Sequence, residues 1–90
     1  MASGQYRIEF TPSAARSFRA LPRDIQRRLQ PKINALANDP RPPGATALQG
    51  GGGLLRIRVG TYRVIYLIEE KRVVVLIVRI GHRRDVYRNL

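Results

Sequence analysis

Read from the N-terminus, the apolar positions first alternate. Tyr6, Ile8 and Phe10 fall on one side and Arg7 and Glu9 on the other, the pattern of a half-buried strand. The period then changes. Thr11-Pro12 sets a hydroxyl cap before a proline whose fixed φ suits a first helical turn, and Ala14, Phe18 and Leu21 follow at helical spacing. Leu21-Pro22 ends that short helix. A second helix is predicted from Pro22 to about Ala37, with Ile25, Leu29, Ile33 and Leu36 as its apolar stripe and Arg23, Arg27, Arg28 and Lys32 off it. Pro31 lies inside this pattern and removes one backbone hydrogen bond, so a kink is expected there, with a full break into two helices as the alternative.

From Asp39 to Gly53 the periodicity stops. DPRPPG and the four glycines Gly50–Gly53 read as a surface loop. A glycine run cradles phosphate when it joins a strand to a helix. Here strand signal follows it, so neither a P-loop nor a dinucleotide fingerprint is supported. Leu54–Val59, Tyr62–Glu69 and Arg72–Ile80 are rich in Val, Ile and Tyr and are separated by short turns, as in hairpin-linked strands. The tail Gly81–Leu90 is polar and basic. The order β-α-α-β-β-β predicts an α+β domain, with two helices on one face of an antiparallel four-stranded sheet.

Size and composition narrow the picture. Ninety residues make one domain over positions 1–90, and 43% apolar content is enough for a modest core. No apolar run approaches the roughly 20 residues of a membrane span, and the start MASGQYRIEF has no signal-like stretch, so a cytoplasmic protein is expected. With no cysteine there is no disulfide frame, thiol nucleophile or cysteine zinc site. Six scattered acids and one histidine do not suggest a metal cage, and no cofactor is expected. Charge is the informative quantity. Seventeen basic residues, fifteen of them Arg, against six acids give +11, which favours a polyanionic partner, nucleic acid before acidic protein.

One constellation gives that charge a place. Val59-Gly60-Thr61-Tyr62 reads as a tight hairpin with Gly60 first in a type II′ turn. Val59 then pairs with Tyr62, Arg58 with Arg63 and Ile57 with Val64. Arg56, two residues from Arg58, shares its face. Leu55, Ile57, Val59, Tyr62, Val64 and Tyr66 take the other face and make a floor for the helices. Like charges opposed across a strand pair are destabilising, and a phosphate held by arginine forks removes the penalty. The tail adds His82, the only histidine, followed by Arg83 and Arg84, with Tyr87 as a ring able to stack on a base.

The element order, the segment LLRIRVGTYRVIYLI and the ending RIGHRRDVY resemble the RelE/ParE toxin superfamily, nearest its RelE-type branch, from about Tyr6 to Tyr87. The resemblance implies a RelE-like fold and a toxin held inactive by an antitoxin protein of acidic character. RelE-type toxins cut messenger RNA in the ribosomal decoding site, whereas ParE-type toxins share the fold and poison DNA gyrase. By the resemblance the catalytic set is Arg56, Arg58, Arg63, Arg83 and Tyr87, with His82 where some members carry Lys or His. RelE-type enzymes can have lysines in the strand pair filled here by Arg56 and Arg58. An always-protonated arginine is no base, which leaves the base open: His82 is the expected proton-transfer group, with an acceptor supplied by the ribosome as the alternative. A basic nucleic-acid-binding module without chemistry is the third reading of the same residues.

Overall fold

The computed structural model describes residues 5–82 and Val86. Within them the chain forms β1 (Arg7–Phe10), α1 (Pro12–Arg19), α2 (Arg23–Ala35), β2 (Thr46–Ala47), β3 (Leu55–Val59), β4 (Tyr62–Glu69) and β5 (Val74–His82). The strands make one sheet in the order β1-β5-β4-β3-β2. The α+β class with two helices over a sheet is as expected; the sheet itself differs in two details. It has a fifth strand, because Thr46–Ala47 pairs with Leu55–Arg56 and the Leu48 N–H donates to the Leu54 carbonyl at 3.0 Å, closing the glycine loop as a hairpin. It is also mixed rather than antiparallel throughout, since β1 runs parallel to β5. Hairpins force β3, β4 and β5 to alternate in direction. The connection from β1 passes through two helices, and such a crossover leaves a parallel partner open.

The helices begin and end where local chemistry dictates. The Thr11 hydroxyl oxygen accepts from the Ala14 N–H at 3.1 Å, and the same hydroxyl donates to the Val78 carbonyl at 3.2 Å, tying the start of α1 to β5. α2 opens after Pro22 and continues through Pro31 to Ala35. The helix is therefore not broken there, although Pro31 has no N–H to offer the preceding turn. No helix among the described residues is long and apolar enough to cross a membrane.

The core lies between the helices and one face of the sheet. Ala14, Leu29, Ile33 and Leu36 meet Ile57, Val64, Tyr66, Val75, Ile77 and Ile80, all buried, with Phe18, Leu21, Ile25, Leu55, Val59 and Tyr62 packed around them. Burying each large aliphatic side chain contributes roughly 1.5–3 kcal/mol. Tyr66 is fully buried, and its hydroxyl donates to the Pro40 carbonyl at 2.7 Å, which anchors the loop after α2.

One irregularity in β5 decides what reaches the face opposite α1 and α2. Ile65 pairs with Arg79, but Tyr66 pairs with Ile77, so Val78 is an extra residue with no counterpart on β4. Past such a bulge every side chain changes face relative to plain alternation.

Candidate nucleic-acid interface

The β3–β4 hairpin has the register its sequence predicts. Val59 pairs with Tyr62, Arg58 with Arg63 and Ile57 with Val64. Gly60 has φ +63°, the left-handed value that a first turn residue of this kind needs and that side chains other than glycine rarely adopt. Since Ile57, Val64 and Tyr66 enter the core, Arg56, Arg58 and Arg63 stand together on the face opposite α1 and α2. An open concavity of about 500 Å³ is lined there by Arg58, Gly60, Thr61 and Arg63.

The bulge adds a residue that alternation along the chain does not reveal. Counted straight from Ile77, Arg79 would turn toward the helices. The extra Val78 sets it opposite Ile65, so Arg56, Ile65 and Arg79 form one cross-strand row on the arginine face. Ile65 is fully buried in that row, bordered by two long side chains whose apolar stems can cover it. Arg56 and Arg79 each take part in at least one further interaction.

The same bulge moves His82 the other way. His82 pairs with Tyr62 and meets its ring edge-on, with centroids 5.2 Å apart and planes at 87°. Tyr62 packs against the core, so the imidazole belongs to the helix side of the sheet end. The structure therefore unites Arg56, Arg58 and Arg63, adds Arg79, and leaves His82 on the other face. The expectation that the histidine joins the arginine patch is corrected: it places His82 in a tail after the last strand, whereas β5 extends through His82 and pairs it with Tyr62. Arg83 and Tyr87 lie outside the described residues. Val86 is buried, with its Cα 3.5 Å from where a Cβ on Gly81 would stand. Gly81 pairs with Arg63, so Val86 meets the sheet on the arginine side.

The electrostatics separate along the sheet. Among the described residues no ion pair reaches Arg58 or Arg63, and the Nε of Arg63 is buried with no hydrogen-bond partner. Three carboxylates are engaged elsewhere. Glu9 pairs with Arg7 at 2.9 Å and Arg72 at 3.3 Å, Glu69 with Arg72 at 2.6 Å, and Glu70 with Arg41 at 3.3 Å. The hydrogen bond from Arg7, helped by the Arg72 charge, holds the Glu9 carboxyl below its ordinary range. The Tyr6 hydroxyl, donating at 2.6 Å, does the same for Glu70 together with Arg41. The arginine face is thus a positively charged surface on which, among the described residues, no carboxylate pairs with Arg58 or Arg63. Such a surface can bind and stabilise phosphate charge, and its described arginines offer no base.

Comparison with known proteins bears on this geometry. Residues 8–87 match the family described as the ParE toxin of the type II toxin–antitoxin system parDE. The chain is 32% identical over 84 residues to Toxin RelG of Mycobacterium tuberculosis, covering 92% of this chain and 97% of the relative. In the crystal structure of the toxin–antitoxin complex RelBE2 from the same organism, one chain superposes with a TM-score of 0.77 at 30% identity, over 88% of this chain and 99% of that one. A chain of the archaeal RelE–RelB complex from Pyrococcus horikoshii does so with a TM-score of 0.76 at 29% identity, over 89% and 97%.

Proposed function

We propose that this chain, which belongs to the RelE/ParE superfamily of type II toxin–antitoxin toxins, inhibits translation by cutting ribosome-bound messenger RNA. The observation that carries the reading is the opposed pair Arg58 and Arg63, flanked by Arg56 over an open concavity and lacking an ion-pair partner among the described residues. In this reaction the 2′-hydroxyl attacks the neighbouring phosphorus. The O2′–P bond forms, the P–O5′ bond breaks, and the products are a 2′,3′-cyclic phosphate and a 5′-hydroxyl. The 2′ proton leaves to an acceptor, and the departing 5′ oxygen takes one up. Arg56, Arg58 and Arg63 stabilise the extra negative charge of the transition state, usually the largest single contribution to such catalysis. Arg83 and Tyr87 are carried over from the family resemblance as a further cation and a stacking ring.

The arginines stay protonated and cannot accept the 2′ proton. His82 stands on the other face, so in this reading the ribosome supplies the acceptor and the substrate geometry. Activity on free RNA is then weak. An antitoxin is the second partner, as in the RelBE2 and RelE–RelB complexes of the relatives. Acidic side chains and an amphipathic segment suit a cover for this face.

Primer extension on messages after induction tests the proposal. Wild type is expected to give new 5′ ends within translated frames, and Arg63→Ala to abolish most of them. The ParE reading is favoured by the family model matched over residues 8–87. It predicts intact messages with DNA damage and gyrase inhibition, an outcome that would replace the ribonuclease assignment.

A further inference from the structure

We infer that the arginine face is a track for several successive phosphates of a single RNA strand, with Arg79 and Arg28 as its two ends. The inference rests on the reading of this face as an RNA site and extends it to two residues to which the resemblance gave no role.

The rows of the sheet set the geometry. Arg58 and Arg63 form the row next to the hairpin turn, and Arg56 and Arg79 form the next row, on either side of Ile65. Two residues along a strand separate the rows by about 6.6–6.8 Å, and the two intervening strand spacings put Arg56 and Arg79 about 9.5 Å apart. On the far side of the turn Arg28 arrives from α2, the other layer of the fold. Its Nη2 lies 2.8 Å from the point a Cβ on Gly60 would occupy, and Gly60 itself lines the concavity with Arg58 and Arg63. Arg28 is exposed. The cations therefore follow one direction, from Arg28 over the turn, through Arg58 and Arg63, to Arg56 and Arg79.

A single phosphate does not account for this spread. The opposed pair already offers two forks, enough for the oxygens of one phosphate. Further guanidinia converging on the same group would crowd like charges. Distributed along a strand, each meets its own phosphate. An extended polyanion with regularly spaced charges fits, and single-stranded RNA provides one.

The test uses the full chain and RNA oligonucleotides methylated at every 2′-oxygen, which bind without being cut. Affinity is measured by fluorescence anisotropy against length and salt. For wild type, affinity is expected to rise with each added phosphate over the first few and then level off, while inorganic phosphate competes poorly. Arg79→Ala and Arg28→Ala should each flatten the slope of log affinity against log salt by about 0.7, the contribution of one single-strand phosphate. Each should also level off at a shorter length. Arg79→Lys and Arg28→Lys should keep the slope, which separates charge from a structural role. Lys71→Ala, in the turn at the opposite end of β4, should leave slope and length dependence unchanged. Arginine variants with the wild-type slope, or an equal loss in Lys71→Ala, would overturn the track. A wild type that binds no RNA even at low salt would instead remove the reading of the face on which the track depends.

Discussion

A guanidinium opposite another guanidinium is unfavourable in isolation, and the hairpin register holds Arg58 and Arg63 in that position. An anion between them reverses the sign. Arg63→Ala is accordingly expected to lower message cleavage by about 100- to 1,000-fold, the usual loss for one preorganised donor. Arg63→Lys should recover only part, because an ammonium cannot present a planar fork. His82→Gln is expected to change cleavage less than about tenfold, in keeping with its place beside Tyr62. A loss as deep as that of Arg63→Ala would return the imidazole to the chemistry. Tyr66 belongs to stability rather than to the site. Burial pushes its hydroxyl from 10.0 up to about 12. Because the folded value is raised, this contribution is complete below pH 10.0 and lost as the pH climbs through about 12. Melting temperatures across that alkaline range should fall in wild type and fall less in Tyr66→Phe. The variant should start about 1 kcal/mol lower, having left the Pro40 carbonyl without its donor.

Single positions also limit the elements. Pro31 is exposed in the interior of α2, and proline there costs about 3 kcal/mol relative to alanine. Pro31→Ala should raise the denaturant midpoint without touching the arginine face; an unchanged midpoint would mean the helix has adapted fully to the ring. Val73 closes the β4–β5 turn at φ +55° and is 43% exposed. A β-branched residue is strained in that region, so Val73→Gly should stabilise by about 1 kcal/mol in chemical denaturation. The hairpin and the bulge show how far a pattern can be read. At Gly60 the residue that permits the turn also pins a two-residue loop, and the whole β3–β4 register follows from it. In β5 the run from Val73 to Val78 is apolar at every position. Period-two contrast is absent, so an extra Val78 leaves the pattern unaltered. Arg79 is missed for that reason, while His82 reads as part of the polar tail although β5 continues through it.

For the whole molecule, the decisive property is where the charge goes. The formal charge of +11 sets a general affinity for polyanions, but Glu9, Glu69 and Glu70 are paired with Arg7, Arg72 and Arg41, leaving Arg58 and Arg63 outside these pairs. Glu9 and Glu70 have lowered folded values. Their stabilising contribution is present above the ordinary 4.5 and is lost as the pH falls through those values. Acid should therefore loosen the attachment of β1 and the β4–β5 turn first, seen as early loss of amide protection around Arg7 and Arg72. Glu9→Gln should make that loss less dependent on pH. With these three carboxylates already engaged by arginines, the proposed cleavage should not respond to a chelator at concentrations that leave the ribosomes intact. Inhibition by the chelator that added magnesium reverses, with ribosomes shown to be intact, would count against a reaction driven by guanidinium groups alone.

Local chemistry determined much by itself. Thr11-Pro12 started a helix, Leu21-Pro22 ended it, and Gly60 set a hairpin that gathers three arginines, because caps, breakers and tight turns act over a few residues. Tertiary structure decided the rest. Only the assembled sheet shows that β1 lies parallel to β5, that Thr46–Ala47 adds an edge strand, and that an extra residue at Val78 brings Arg79 to the arginine face while turning His82 away. Those outcomes depend on which strand lies beside which, and that is settled by packing between segments far apart in the chain.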